Sequence, residues 1–287
     1  MNPGKPSQTA AFVATWRALG ETLPPGAALC TDPLGWSFSP PATAWLAPVA
    51  RRLPRVTGRL LMASPLRRLL LWMQLRTRCI DDVCLDFVRG GGRQIVLLGA
   101  GFDSRSVRLD LADALLLEVD HPATQARKRA LIDARGLETR STYVPWDFER
   151  DPLADLPASL ENRGLDPARP TLTLSEGVVM YLTEPAVEAT LAAVRAYSAP
   201  ASQILIHYIE RRLIHRRTVY HWVARRVGEP MQFGWDVAEL PGWLAARGFD
   251  LVSDRGDEAL ARELFAPEWA ESFGGAGGRI AVARPRR

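Results

Sequence analysis

Three acidic residues follow apolar runs of the sequence, each at the point where the run ends. They are Asp120 after the run that starts at Ala114, Asp147 after a short aromatic stretch, and Glu176 after a threonine- and leucine-rich run. One such acid alone is ordinarily a helix cap or a solvated loop residue. Three at successive strand ends meet at one edge of a parallel sheet, where ligands of such sheets bind. The pattern therefore indicates a site for hydrogen-bond donors or a cation.

The ligand could be a metal ion or an organic cation. His121 precedes a proline, His215 and His221 lie far along the chain, and the sequence has no HxH or HExxH spacing. An organic cation rich in hydroxyl and amine groups suits three carboxylates better, because each acid can accept hydrogen bonds from it. S-adenosylmethionine has a ribose, an adenine amine and an ammonium group, so we expect it as the cofactor.

A glycine turn precedes the first of these acids. The apolar run Ile95–Leu98 stops at Gly99 and Gly101, and the second run ends at Asp120, which is the layout of a nucleotide-binding βαβ unit. Glycines let the backbone approach a ligand closely. Ser104 stands where a third glycine would complete GxGxxG. This favours an adenosyl group over a dinucleotide, although NAD remains an alternative.

Arg76 lies on an otherwise apolar helix stripe with Leu69, Met73 and Ile80. Burying an arginine there is costly unless an anion meets it. The alternative is a surface arginine whose stem covers apolar neighbours.

With S-adenosylmethionine as the expected cofactor, its methyl group needs an acceptor, and two residues could bind or deprotonate one. His207, at the end of a predicted strand, is the candidate general base, and Tyr181 could hydrogen-bond the acceptor. A carboxylate acceptor is already ionised at neutral pH and needs no base, whereas a phenol or alcohol profits from one. We prefer an ionised acceptor held by Arg76 and Tyr181. The plainer interpretation of His207 is a core histidine.

The alternation of predicted strands and helices after residue 90, which positions these residues, predicts an α/β fold with a mostly parallel sheet covered on both faces. Residues 1–90 predict short helices and one long helix after Pro65, forming a helical cover, and 91–287 form the core, with a helical lid inserted at about 211–235. Predicted strands cover 94–99, 114–119, 141–145, 170–175, 202–209, 249–253 and 279–284. Predicted helices between them cover 103–109, 122–135, 184–198 and 236–247.

Composition narrows the class of protein. The chain has 287 residues, 47% of them hydrophobic, and a net charge of +4, with nearly all of its positive charge carried by arginine. No apolar run approaches the length of a membrane span. Three scattered cysteines fit a reduced, cytoplasmic protein. We expect an anionic small-molecule acceptor as partner, and neither nucleic acid nor membrane.

Five motifs together resemble the leucine carboxyl methyltransferase family: LRTRCIDD, LLGAGFDSR, EVDHP, VPWDFERD and SEGVVMYL, in that order. The resemblance implies a class I methyltransferase fold, a Rossmann-like sheet of seven strands with the last antiparallel. It also implies S-adenosylmethionine-dependent O-methylation, with bacterial members that act on polyketides and other small molecules.

The same resemblance assigns roles. Gly99 and Gly101 pass beneath the methionine moiety, Asp120 binds the ribose, and Asp147 with Phe148 frames the adenine. Glu176 lies near the amino-acid end of the cofactor, and Arg76 near its carboxylate and the acceptor. The cofactor-contacting N-terminal lysine of the eukaryotic protein-methylating members has no convincing match here. A carboxylate of a small molecule is the expected acceptor; a phenol or hydroxyl, an NAD-dependent oxidoreductase and a non-catalytic binding module are the alternatives.

Overall fold

One sheet of seven strands organises the chain in the computed structural model, which describes residues 6–148, 150–214 and 231–286. Its strand order is β3-β2-β1-β4-β5-β7-β6. The strands are β1 (Gln94–Leu98), β2 (Leu115–Asp120), β3 (Ser141–Pro145), β4 (Leu172–Glu176), β5 (Gln203–Ile209), β6 (Phe249–Gly256) and β7 (Gly278–Pro285).

The pairing of the strands confirms the predicted fold class. β1 pairs in parallel with both β2 and β4, and β7 is antiparallel to both β5 and β6. Strand order therefore reverses at β1, and a crevice opens beyond the carboxyl ends of β1 and β4. This is the edge at which the three predicted acids follow their strands.

Helices cover both faces of the sheet. They are α1 (Gln8–Ala18), α2 (Pro41–Ala44), α3 (Leu46–Arg52), α4 (Pro54–Met62), α5 (Arg67–Arg89), α6 (Arg105–Arg108), α7 (Pro122–Asp133), α8 (Leu156–Glu161), α9 (Glu184–Tyr197), α10 (Arg211–Ile214), α11 (Leu240–Ala246), α12 (Asp257–Leu264) and α13 (Pro267–Ala270). One buried cluster joins α1, α5 and α12 to one face, and a second joins α8, α9 and α11 to the other.

The N-terminal helices are short except for α5. Pro41 and Pro54 each begin a new short helix, whereas α5 runs unbroken from Arg67 until Gly90, with Gly91 at φ 90° after it. The apolar stripe of α5 is buried on the sheet, Met73 and Ile80 completely. Residues before 90 thus share a core with the sheet. The boundary at residue 90 stays a prediction.

Two predicted helices are shorter than expected. The helix predicted at 103–109 spans only Arg105–Arg108, because the Asp103 side chain accepts a hydrogen bond from the Arg105 N–H and turns the chain. The helix predicted at 236–247 starts only at Leu240, with Pro241 in its first turn, and Trp235 before it makes a β-bridge to Glu210. No helix of the described residues is long and apolar enough to cross a membrane.

The predicted lid lies mostly outside the described residues, which resume at Met231. At the C-terminal end of the predicted lid, the Gln232 N–H donates to the Met180 carbonyl at 2.7 Å, and the Gln232 side chain donates to the Tyr181 carbonyl. Phe233 packs edge-on against Trp235 in the core. Gln232 therefore, and not Phe233, reaches the crevice.

Candidate functional site

A cavity of about 280 Å³ occupies the crevice beyond β1 and β4. Its wall contains eight of the nine site residues predicted from the sequence: Arg76, Gly99, Gly101, Asp120, Asp147, Phe148, Glu176 and Tyr181. Arg17 from α1, Trp72 from α5, Met180 after β4 and Gln232 before α11 are among the residues that complete it. The three acids predicted at neighbouring strand ends do converge on one cavity.

The glycine turn after β1 has little space for side chains. Gly99 and Gly101 adopt φ of 63° and 52°, in the left-handed region that favours glycine. A Cβ on Gly99 would lie 2.6 Å from the Val178 side chain, and one on Gly101 2.9 Å from Ala10. Both glycines are therefore required for the turn to sit between β4 and α1.

Among the described residues, the Asp120 carboxylate accepts hydrogen bonds from backbone N–H groups and from no side chain. Its Oδ2 accepts from the Gly101 N–H at 2.6 Å, and its Oδ1 accepts from the His121 N–H at 2.7 Å. Burial raises the pKa of this carboxyl to about 6, even though both N–H groups favour the charged form. Within the described residues no cation forms an ion pair with Asp120, so its charge is open to donors from a ligand.

Asp147 and Phe148 follow β3 on the same side of the cavity. The Asp147 carboxylate lies 3.7 Å from the His121 Nε2, and His121 Nδ1 caps α7 by accepting from Ala123. Phe148 is partly buried against the core cluster behind β3. An acid, an imidazole and an aromatic ring are thus brought together next to Asp120.

Glu176 has the opposite surroundings. Arg76 Nε lies 2.9 Å from one carboxylate oxygen, and Arg105 donates to the other at 2.8 Å. Burial opposes ionisation here, yet Arg105 and then Arg76 hold the pKa of Glu176 well below its usual range. The interpretation of Arg76 as a surface residue is therefore wrong: it is buried and paired.

Arg105 extends this pair into a network that sequence reasoning missed. It also donates to Asp81 on α5 at 2.7 Å and to Asp103, and Arg108 bonds the same Asp81. The motifs LLGAGFDSR and LRTRCIDD both contain members of the network, so the sequence marks these residues without showing that they pair. Helical periodicity does not reveal that charges on α5 and α6 meet under β4.

Arg76 has further donors on the cavity side. Its guanidinium lies 4.8 Å from the Trp72 ring centroid, a cation–π contact. Its Nε lies 2.9 Å from Glu176 as an ion pair but makes no hydrogen bond of good geometry with any described residue, and the residue lines the cavity. The short 3-10 helix Val179–Tyr181 brings Tyr181 to the same wall.

His207 is the predicted site residue that does not line the cavity. It lies in β5, fully buried, next to Glu176 in the strand register and with its ring 5.6 Å from that of Trp72. Neither ring nitrogen has a hydrogen-bond partner in the part of the chain that the structure describes. Burial, reinforced by Arg76, lowers the pKa of His207 to about 3, so the ring is neutral.

The described residues contain no group of three or more His, Cys, Asp or Glu side chains positioned to hold a metal ion. The acids of the cavity are divided between backbone N–H groups and arginines instead. An organic ligand with its own donors and anionic group matches this arrangement.

The sequence of residues 10–195 matches the model of the leucine carboxyl methyltransferase family. The chain belongs to this family. A relative from Streptomyces avermitilis, provisionally named an S-adenosyl-L-methionine-dependent methyltransferase, is 32% identical over 96% of this chain and 94% of its own. One from Mycolicibacterium smegmatis with the same provisional name is 32% identical over 67% of this chain but only 64% of its own length. S-adenosylmethionine is the cofactor of the family.

Solved structures agree on the fold at low sequence identity. A protein from Thermobifida fusca, provisionally named a methyltransferase, superposes with a TM-score of 0.58 at 18% identity, covering 100% of this chain and 97% of its own. A DUF574 family protein from Streptomyces avermitilis gives 0.59 at 15% identity over 94% and 97%. The class I methyltransferase fold predicted from the sequence is thus confirmed.

Proposed function

We propose that this family member is an O-methyltransferase that methylates a carboxylate of a small molecule, such as a polyketide or another secondary metabolite. When bound, S-adenosylmethionine supplies an electrophilic methyl group with its leaving group already attached. The protein then has to hold the cofactor, orient the acceptor oxygen and keep water out.

The residues of the cavity fit the cofactor. The Gly99–Gly101 turn lines the cavity and packs too closely against Val178 and Ala10 to carry side chains, and Asp120 offers a carboxylate to ribose hydroxyls. Asp147 and Phe148 would frame the adenine. The Arg76 guanidinium, which lines the cavity, can receive the cofactor carboxylate or the acceptor. Glu176 holds Arg76 and Arg105 in position and does not itself need to contact the ligand.

The surroundings of His207 are the observation that carries the choice of acceptor. A phenol or alcohol would profit from a base with a pKa near neutrality. His207 is buried behind Trp72, is neutral, and lies outside the cavity wall. A carboxylate acceptor is already ionised and needs only orientation by Arg76 and Tyr181. Such orientation can lower a barrier by about 7–11 kcal/mol.

A methylation screen with labelled S-adenosylmethionine tests the proposal. We expect transfer to members of a library of aromatic and acyl carboxylic acids, with a rate that changes little between pH 6.5 and 9. His207→Leu should keep turnover within about threefold of the unmodified protein. Arg76→Lys should raise the acceptor KM or lower kcat at least tenfold, because a lysine loses the planar pair of donors. Arg78→Lys, on the exposed side of the same helix, is the matched control.

The opposite result is equally distinct. Labelling confined to phenols or alcohols, with a rate that rises with pH and is lost in His207→Leu while S-adenosylhomocysteine still binds, would establish a hydroxyl acceptor. Tight NAD binding without S-adenosylhomocysteine binding would contradict the whole assignment. Binding of S-adenosylhomocysteine with no transfer to any acceptor class would favour a binding module.

A further inference from the structure

Helices α3 and α4, together with the residue that precedes each of them, present apolar side chains to solvent. Exposed fractions are 65% for Trp45, 51% for Leu53, 50% for Val56 and 67% for Leu60. Large apolar residues exposed singly are ordinary, but these fall within sixteen consecutive positions of the sequence. Together with Val49 and the exposed arginines Arg51, Arg52, Arg55 and Arg59, they form what we name the α3–α4 face.

The opposite side of α4 fixes this orientation. Thr57 and Gly58 are buried, and a Cβ on Gly58 would lie 1.9 Å from the Thr22 carbonyl oxygen. On the outer side, Val56 and Leu60 stand one turn apart, with Arg55 and Arg59 directly beside them. An ordinary amphipathic surface helix turns a polar face to solvent. The solvent face of α4 instead alternates apolar and cationic side chains.

The charge of this region is entirely positive. Residues 33–80 contain eight arginines and no aspartate or glutamate. In the described ranges no carboxylate forms an ion pair with Arg51, Arg52, Arg55 or Arg59. Some exposed arginines outside this face do pair with acids on their own helix, such as Arg78 with Asp82 and Arg262 with Glu258. The α3–α4 face therefore lacks internal compensation.

We propose that the α3–α4 face docks the protein on the surface of an anionic lipid membrane. Arginines suit lipid phosphates, while tryptophan and aliphatic side chains suit the boundary between headgroups and acyl chains, where amphipathic helices lie without spanning. The expectation of no membrane partner considered only spanning segments, and this proposal revises it. A second copy of the chain would oppose the same positive charges, and a nucleic acid would leave the apolar residues uncovered.

Co-sedimentation of the full chain with vesicles tests the proposal. We expect binding to phosphatidylglycerol–phosphatidylcholine vesicles that weakens with salt, and little binding to pure phosphatidylcholine. The double variant Arg55→Gln/Arg59→Gln should weaken binding about 25-fold, because each arginine near an anionic surface contributes about a factor of five. Arg135→Gln/Arg140→Gln makes the same charge change at exposed positions on another part of the chain and should change binding less than threefold.

The apolar half of the face has its own test. Val56→Ser/Leu60→Ser should weaken vesicle binding about tenfold or more, since both side chains lose burial in the interface. Val237→Ser/Val252→Ser, at exposed valines elsewhere, is the matched control. Circular dichroism and thermal unfolding check that each variant folds. We expect that they do, because the substituted positions are exposed.

Several results would overturn the proposal. These are equal binding to neutral and anionic vesicles, no vesicle binding, or equal losses in the control variants. Self-association in solution that Leu60→Ser abolishes would identify a second copy as the occupant. Binding of a random DNA duplex, lost in Arg55→Gln/Arg59→Gln without any vesicle binding, would identify nucleic acid.

Discussion

The two ends of the cavity treat their carboxylates in opposite ways. At what we call the arginine end, Glu176 is gripped by Arg76 and Arg105, and the pKa of its carboxyl is held well below the usual range. At the aspartate end, Asp120 has only two backbone N–H groups as hydrogen-bond donors in the part of the chain that the structure describes, and burial raises its pKa to about 6. One acid is committed to the protein, and the other is left for a ligand.

This difference separates architecture from binding. An ion pair buried with good geometry fixes the positions of its members, and its removal leaves uncompensated charge. A buried acid without a cation is costly to ionise in the free protein, and it regains that free energy when a ligand supplies donors. We infer that Glu176 acts by positioning Arg76, whereas Asp120 acts by direct contact.

The largest expected effect is on stability at the arginine end. Glu176→Gln should lower the free energy of unfolding by about 3 kcal/mol or more, since it leaves Arg76 and Arg105 short of an anion. Denaturant unfolding measures it. Glu263→Gln, which breaks the exposed pair with Arg255, should cost less than about 1 kcal/mol. Equal small losses in both variants would refute the architectural role of Glu176.

At the aspartate end we expect a loss of affinity instead. Asp120→Asn should weaken S-adenosylhomocysteine binding about tenfold to a hundredfold in calorimetry, because a charge-assisted hydrogen bond contributes about 1.5–3 kcal/mol. Its stability should fall less than that of Glu176→Gln, as no ion pair is broken. Asp113→Asn at an exposed pair with Arg93 is the control. Unchanged affinity would remove Asp120 from the binding site.

The raised pKa of Asp120 makes affinity depend on pH. Its folded-state pKa of about 6 means that the carboxyl is ionised at pH 7 and mostly protonated at pH 5. If the ligand requires the charged form, the Kd for S-adenosylhomocysteine should rise about tenfold from pH 7 to pH 5. The same titration of Asp120→Asn should be flat over that range. A flat profile in the unmodified protein would contradict the role of the charge.

A smaller effect is expected from His207, which lies beside Glu176 in the sheet. Its pKa falls from 6.5 to about 3 on burial, so below pH 6.5 the unfolded chain binds a proton that the folded chain refuses. Stability therefore rises with pH across this window. His207→Leu should lose about 1 kcal/mol less than the unmodified protein between pH 7 and pH 5.5. Identical losses would show that His207 is charged or solvated in the fold.

Most of the sheet, and the convergence of the three acids at its edge, can be predicted from the sequence. Apolar runs that end in Asp120 and Glu176 predict strands to within a few residues, because buried parallel strands leave a clear pattern. The convergence of three acids follows from that topology. The pairing of Glu176 with Arg105 does not, since it depends on how α5 and α6 meet in space.

His207 illustrates the second limit. Its place near the end of β5 suggests access to the cavity, yet neighbouring side chains on a strand point to opposite faces, and Trp72 covers this one. Which face looks into a crevice depends on packing by helices from a distant part of the chain. Local sequence patterns do not show which face of a strand a distant helix will cover.

A crystal structure of the protein with S-adenosylhomocysteine and an acidic acceptor tests the account most directly. We predict the ribose hydroxyls on Asp120, the adenine beside Asp147 and Phe148, and an anionic group of ligand or acceptor on the terminal nitrogens of Arg76. Glu176 should remain on its two arginines. Density elsewhere, or Asp120 turned away from the bound ligand, would contradict the assignment.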